Sequence, residues 1–236
     1  MAELVYRPVI GAALGLFKAL DLKIDLKGAE HVPARGGAVL ASNHISYLDF
    51  VFCGYAARPA KRLVRFMAKE SVFRHKVSGP LMRAMKHIPV DRSQGAQAYQ
   101  HALTALRSGE IVGVFPEATI SESFTLKGFK NGAARLAQEA GVPLLPMAVW
   151  GTQRIWTKGR PRDFGRNHFP VTMRVGKPIQ ALQTAATDDL TTRLKERVQE
   201  LLEAAQRAYP DKPRGPEDSW WLPRHLGGTA PAPSGA

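Results

Sequence analysis

Leu22, Ile24 and Leu26 alternate with Lys23, Asp25 and Lys27, the period of two that marks a strand with one buried face, and Gly28 ends it. After the turn VPARGG, the apolar run AVLAS at residues 38–42 predicts a second strand, leading through Asn43 and His44 into a helix over SYLDFVFCGYAA that starts near Ser46. The alternation continues. RLVRFMA is a strand, a basic stretch to about Lys86 is helical, HIPV is a short strand, residues 93–109 are a helix, and IVGVFPE is a strand. KNGAARLAQEAG is a helix closed by Gly141, followed by the strands PLLPMAVWG and PVTMRVG. Strands alternating with helices of this length predict a single α/β domain with a mostly parallel sheet flanked by helices. Leu190, Leu194, Val198, Leu201, Leu202 and Ala205 fall at helical spacing, with Thr187 placed to cap that last helix.

The two ends differ from this body. Pro8 to Phe17 is uncharged between Arg7 and Lys18 and as a helix would reach only ~15 Å, half of a bilayer core of roughly 30 Å. It is neither a spanning helix nor a signal peptide. It either packs on the core or lies in a membrane interface with Arg7 and Lys18 at lipid headgroups. From Pro210 the chain is too rich in Pro and Gly for regular elements, and its end is expected to be disordered. Within it, Trp220 and Trp221 dock on the domain or meet a membrane interface. The resulting division is an N-terminal membrane-associating helix at 1–21, an α/β domain at 22–209 and a tail at 210–236.

Among the 236 residues, 33 Lys and Arg against 20 Asp and Glu leave a net charge of +13, which attracts nucleic acid, anionic membranes or phosphorylated substrates. A nucleic-acid role lacks any RNP, helix-turn-helix or zinc-finger signature. Arg58, Lys61, Arg62, Arg65 and Lys69 form a basic cluster that reads as a solvated face, or, with Phe66, Met67, Val72 and Phe73 beside it, as a membrane surface. Cys53 is the only cysteine, so no intrachain disulfide forms. His75, His87, His101 and His168 show no metal-ligand spacing, and no metal is assigned.

The candidate chemistry is in NHISYLD at residues 43–49, where His44 precedes Asp49 by five positions. That spacing alone arises by chance in about a third of proteins with this many histidines. Ser46 to Asp49 also reads as an S-x-x-D capping box, which needs no catalysis. The setting is more specific: a strand, a turn and a helix, with His44 beyond the strand's carboxyl end, where ligands bind in open α/β sheets. In a continuous helix the two side chains would diverge by about 140°. A turn lets Asp49 reach back to one ring nitrogen while the other accepts a proton, as in a hydrolase triad lacking its serine.

NHISYLD resembles the NHxxxxD signature of the glycerolipid acyltransferase family, and FPEATIS at Phe115–Ser121 is similar to that family's FPEGTRS block, in the same order. Lys69 in MAKES and HIPVDR ending at Arg92 resemble its second block. FKNGAARLAQEAGVPLLPMAVWG, with Gly132 opening its helix, is similar to the segment that closes the family's core. The resemblance spans roughly residues 25–180. It implies transfer of an acyl group from acyl-CoA or acyl carrier protein to a lysophospholipid, most often lysophosphatidic acid, at the cytoplasmic face of a membrane and with no tightly bound cofactor. His44 would be the general base oriented by Asp49, with Asn43 and Ser46 in support.

The acceptor phosphate would be met by Arg92, by Glu117 and Thr119 of the third block, and by Lys69, Lys127 and Lys130. The chain departs from the family pattern where Ala118 replaces Gly and Ile120 replaces a phosphate-binding Arg, which leaves a different acceptor lipid open. FPEATIS resembles actinobacterial members. A thiolate of pKa about 8.5 leaves readily, so no protein nucleophile is needed and Cys53 is expected to pack. The remaining alternatives are a thioester hydrolase, with His44 activating water, and a catalytically dead lipid-binding relative.

Overall fold

The computed structural model describes residues 2–76, 78–91 and 95–233. Its elements run α1 (Ala2–Ala19), β1 (Lys23–Lys27), β2 (Ala38–Ser42), α2 (Asp49–Ala56), β3 (Val64–Lys69), α3 (Glu70–Arg74), α4 (Ser78–Ala84), β4 (Ile88–Val90), α5 (Gly95–Arg107), β5 (Ile111–Val114), α6 (Gly132–Ala140), β6 (Leu144–Trp150), β7 (Pro170–Val175) and α7 (Thr187–Arg207). Among the described residues the strands form one seven-stranded sheet in the order β1-β7-β6-β2-β5-β3-β4. Every pairing is parallel except β6 with β7.

The central strands are apolar along their whole length because both faces are covered. Leu40, Ile111 and Leu145 point to one side and pack with Phe17 of α1 and Phe52 and Ala56 of α2. Val39, Val112 and Leu144 point to the other and meet Leu103 and Leu106 of α5, Leu136 of α6 and Leu194 and Val198 of α7. Alternate residues of one strand thus serve two cores. Gly113 in β5 leaves room for a ring: a Cβ there would come within 2.4 Å of Phe66.

Several expectations need correction. The helix after His44 starts at Asp49, not near Ser46, and its N-cap Leu48 makes no side-chain cap. Thr187 is the first residue of α7 rather than its cap, and its hydroxyl donates to Gln138 Oε1 at 2.9 Å. The basic stretch before Lys86 is two short helices, α3 and α4. The basic cluster is a solvated face only in part: Arg58, Lys61 and Lys69 are exposed. Arg65 is buried and pairs with Glu110 at 2.9 Å, and Arg62 donates to the carbonyls of Pro33, Gly36 and Gly109. Two of its five cations therefore close loops around β3.

One face of α1 packs on the domain. Phe17 stacks on Phe52 with ring centres 4.7 Å apart, and the Tyr6 hydroxyl donates to the carbonyls of Val64 and Met85. Its other face, with Arg7, Pro8, Leu16 and Lys18, is exposed. The tail is more ordered than its composition predicts. It forms 3-10 turns at Glu217–Trp221 and Arg224–Leu226, and Trp221 and Ala230 are buried against the Trp150 end of β6 and α7. Residues 234–236, at the end where disorder is expected, lie outside the described residues. No described helix is long and apolar enough to cross a membrane.

Candidate active site

β2 has β5 on one side and β6 on the other, all parallel, so the chain leaves three adjacent strands at one edge of the sheet. These exits carry the site. From β2 come Asn43 and His44, from β5 Phe115 and Glu117, and from β6 Thr152. Asn43 continues β2 as a pseudo-strand residue, its amide exchanging two hydrogen bonds with the Val149 backbone at 2.9 and 2.8 Å. His44 is thereby held at the rim.

His44 Nδ1 lies 3.0 Å from Asp49 Oδ2, with side-chain exposures of 20% and 0%. The carboxylate of Asp49 makes four short contacts. Oδ2 also accepts the backbone N–H groups of Ile45 and Ser46 at 2.7 and 2.8 Å, and Oδ1 accepts the hydroxyl of Thr152 at 2.7 Å. Burying a carboxylate is costly unless it is well bonded, and these donors satisfy it. An ionised Asp49 accepts only, so Nδ1 of His44 carries the hydrogen and Nε2 is left as the basic nitrogen. The reach-back half of the capping-box motif is present at Ser46, though the helix starts three residues later.

The imidazole lies flat on Phe115, with ring centres 4.1 Å apart and planes 14° from parallel, and Phe115 in turn stacks on Phe66 at 6.1 Å. The space left by Gly113 admits this stack. A second clamp holds the turn from the loop after β6. The Ser46 hydroxyl donates to the Trp156 carbonyl at 2.6 Å, the Tyr47 N–H donates to the same oxygen at 3.2 Å, and the Thr157 hydroxyl donates to the Ile45 carbonyl at 2.6 Å.

Glu117 is buried, and its two oxygens accept the backbone N–H groups of His44 and Lys127 at 2.8 and 2.9 Å. Burial pushes its pKa up to about 7, against the downward pull of the Lys127 and His44 N–H groups. The carboxyl ties the His44 turn to the loop after β5. Ala118, where the resembled block has Gly, sits at φ 59° in the left-handed region. Ile120 is buried. Thr119 is exposed and receives a hydrogen bond from Lys127 Nζ at 3.1 Å, and the same amine donates to the Ile120 carbonyl at 3.2 Å.

Lys69 ends β3 and is exposed at this edge. Lys130 is exposed, its backbone N–H bonded to Pro116 at 3.0 Å, and Gly132 opens α6. Arg92 lies outside the described residues. Cys53 is fully buried, and burial raises its thiol pKa, which keeps it neutral and inert. No group of three His, Cys, Asp or Glu side chains able to hold a metal occurs among the described residues.

The structure thus brings His44, Asp49, Asn43, Ser46 and Glu117 together and adds Phe115, Thr152 and Thr157. Phe115 lay inside a recognised block, but nothing in the chain flagged Thr152, which is 103 residues from its partner.

A family model described as Acyltransferase matches residues 23–150. A 1-acyl-sn-glycerol-3-phosphate acyltransferase of Bacillus subtilis is 30% identical over 189 residues, covering 75% of this chain and 92% of that protein. A 1-acyl-sn-glycerol-3-phosphate acyltransferase of Limnanthes douglasii is 32% identical over 79% of this chain but only 62% of its own length. In fold, the crystal structure of the 1-acyl-sn-glycerophosphate acyltransferase PlsC of Thermotoga maritima superposes with a TM-score of 0.71 at 23% identity, covering 89% of this chain and 83% of that one. With more than half of its length matched by the family model and the dyad, the Glu117 strut and the mostly parallel sheet in place, this chain belongs to the acyltransferase family.

Proposed function

We propose that this protein moves a fatty acyl group from a thioester donor, acyl-CoA or acyl carrier protein, to the free hydroxyl of lysophosphatidic acid, giving phosphatidic acid at the cytoplasmic surface of a membrane. The observation that carries this reading is the His44–Asp49 contact of 3.0 Å, with Asp49 fully buried and the His44 side chain partly open at the sheet edge.

Nε2 of His44 takes the proton of the acceptor hydroxyl as its oxygen attacks the thioester carbonyl. The resulting imidazolium is steadied by Asp49. On collapse, the new C–O ester bond remains, the C–S bond breaks, and the leaving thiolate takes the proton from Nε2, so that ester and free thiol are the only products. No acyl-enzyme is needed, and no tightly bound cofactor enters.

The acceptor phosphate is assigned to Arg92, with Lys69, Lys127 and Lys130 as supporting cations. Lys69 supports this by its place at the same sheet edge, and Lys127 and Lys130 by their place in the loop after β5. Glu117 has both oxygens engaged by backbone N–H groups, which favours a positioning role over contact with an anionic phosphate. The test is thiol release from acyl-CoA with and without lysophosphatidic acid. Release is expected only with the lipid, in step with phosphatidic acid formed; release that ignores the lipid would make the protein a hydrolase.

A further inference from the structure

The loop between the 3-10 turn Thr152–Arg154 and β7 projects from the fold, and its residues 158–168 are all exposed. Its sequence, KGRPRDFGRNH, carries Lys158, Arg160, Arg162 and Arg166 against the single acid Asp163. Phe164 stands 43% exposed, with Arg162 over its ring at 5.9 Å and Trp156 against its edge at 6.0 Å. Tyr47, 42% exposed on the catalytic turn, packs on Trp156 at 4.9 Å. The loop's root is bonded to that same turn through Trp156 and Thr157, as described above.

The far end of the loop meets the end of α1. His168 Nδ1 lies 2.7 Å from Asp21 and Arg166 lies 3.8 Å from it. Lys158 pairs with Glu122 and Arg166 with Asp21, which Lys23 and His168 also meet, while Asp163 is held by Gly165 and Asn167, so Arg160 and Arg162 form no ion pair among the described residues and lie over the rings of Trp220 and Phe164. A cationic rim tipped by an aromatic ring therefore runs from the catalytic turn to the N-terminal helix, whose Leu16 and Lys18 are also exposed.

We propose that residues 158–168, with Tyr47, form a docking surface for anionic lipid headgroups that seats the His44 turn on the membrane. This rests on the preceding function, since a lysophospholipid acceptor lies in such a surface. The combination of arginines and exposed rings selects a lipid interface over a purely ionic partner. Phosphate oxygens take the guanidinium groups, while Phe164 and Tyr47 sit at headgroup depth, where amphipathic and aromatic rings prefer to lie.

The test compares the full-length protein with the variant Arg162→Gln/Phe164→Ser/Arg166→Gln, none of whose residues lies in the catalytic machinery. Binding to phosphatidylcholine vesicles with and without phosphatidylglycerol is read by co-sedimentation. Wild type is expected to bind the anionic vesicles in a salt-sensitive manner. The variant should bind them roughly 20- to 30-fold more weakly, about fivefold for each cation removed. It should lose transfer to vesicle-borne lysophosphatidic acid while retaining it toward a short-chain monomeric acceptor. Equal vesicle binding by the two proteins would overturn the proposal. So would equal loss on the monomeric acceptor, which would place the loop in substrate binding. Loop-dependent vesicle binding by a protein that transfers no acyl group would sustain the docking surface and reject the function above.

Discussion

The hydroxyl of Thr152 donates to Asp49 Oδ1 at 2.7 Å across 103 residues of sequence. It holds the oxygen that the His44 turn does not, so the orientation of the dyad depends on a strand exit beyond the segment matched by the family model, which ends at residue 150. Thr152→Val keeps the shape and removes the donor, leaving a buried oxygen unpaired at a cost of about 1–3 kcal/mol. The unfolding temperature should fall and kcat should drop about tenfold, as ~1.4 kcal/mol of lost transition-state support implies. Thr152→Ser should restore most of both. A kcat unchanged in the valine variant would show that the contact is structural only.

His44→Ala and Asp49→Asn should separate chemistry from folding. The His44 ring is a fifth exposed and its removal strands only one of four short contacts at Asp49, so the alanine variant should stay folded while turnover falls by about 10²–10⁴ or more. Asp49→Asn turns an NH2 group toward at least one of the four donors now bonded to the carboxylate. Circular dichroism melts should show it to be the less stable of the two. Near-normal turnover by His44→Ala would remove the general base from the mechanism.

Glu117 gives the fold a pH dependence. Its folded pKa is about 7 against an ordinary 4.5, raised by burial, so the folded state binds a proton that the unfolded state has released. Stability contributed by this group is present below about pH 4.5, declines as pH rises to about 7, and is flat above that, an effect on the order of 3 kcal/mol. Urea unfolding followed from about pH 5 to about pH 8 should show the decline in wild type. Glu117→Gln, which does not titrate, should flatten it; an unchanged slope would assign the effect to another group.

Ala118 occupies a left-handed conformation at φ 59° on the surface, a geometry that costs an L residue with a Cβ roughly 1–2 kcal/mol. Part of that is offset by the greater freedom of glycine in the unfolded chain. Ala118→Gly should therefore raise stability by up to about 1 kcal/mol, or ~2–4 °C in Tm for a chain of this size. Calorimetry checks it, and a lower Tm would mean that the methyl group makes a compensating contact.

All seven strands were legible in the chain, because alternation and short apolar runs record which residues must leave water. Of the two places open to the tail's tryptophans, the domain or a membrane interface, Trp221 takes the first: it is buried, with Arg154 4.5 Å over its ring and Gln153 donating to its carbonyl. A few large side chains can dock a segment that has no periodicity to read. In the basic cluster Arg58, Lys61 and Lys69 are exposed as expected, whereas Arg62 and Arg65 bond carbonyls and a carboxylate brought close only by folding.

That His44 and Asp49 meet at one edge of the sheet was determined by the sequence, because the strand-turn-helix pattern and the four ordered blocks place them there. The antiparallel β6–β7 pairing, the strand order that puts β5 and β6 on either side of β2, and the hydroxyl of Thr152 were decided by the tertiary structure alone. Burial is written into each segment's own pattern, whereas the choice of partner is a property of the packed whole: Asp49 could be buried only where a distant strand supplied its last donor.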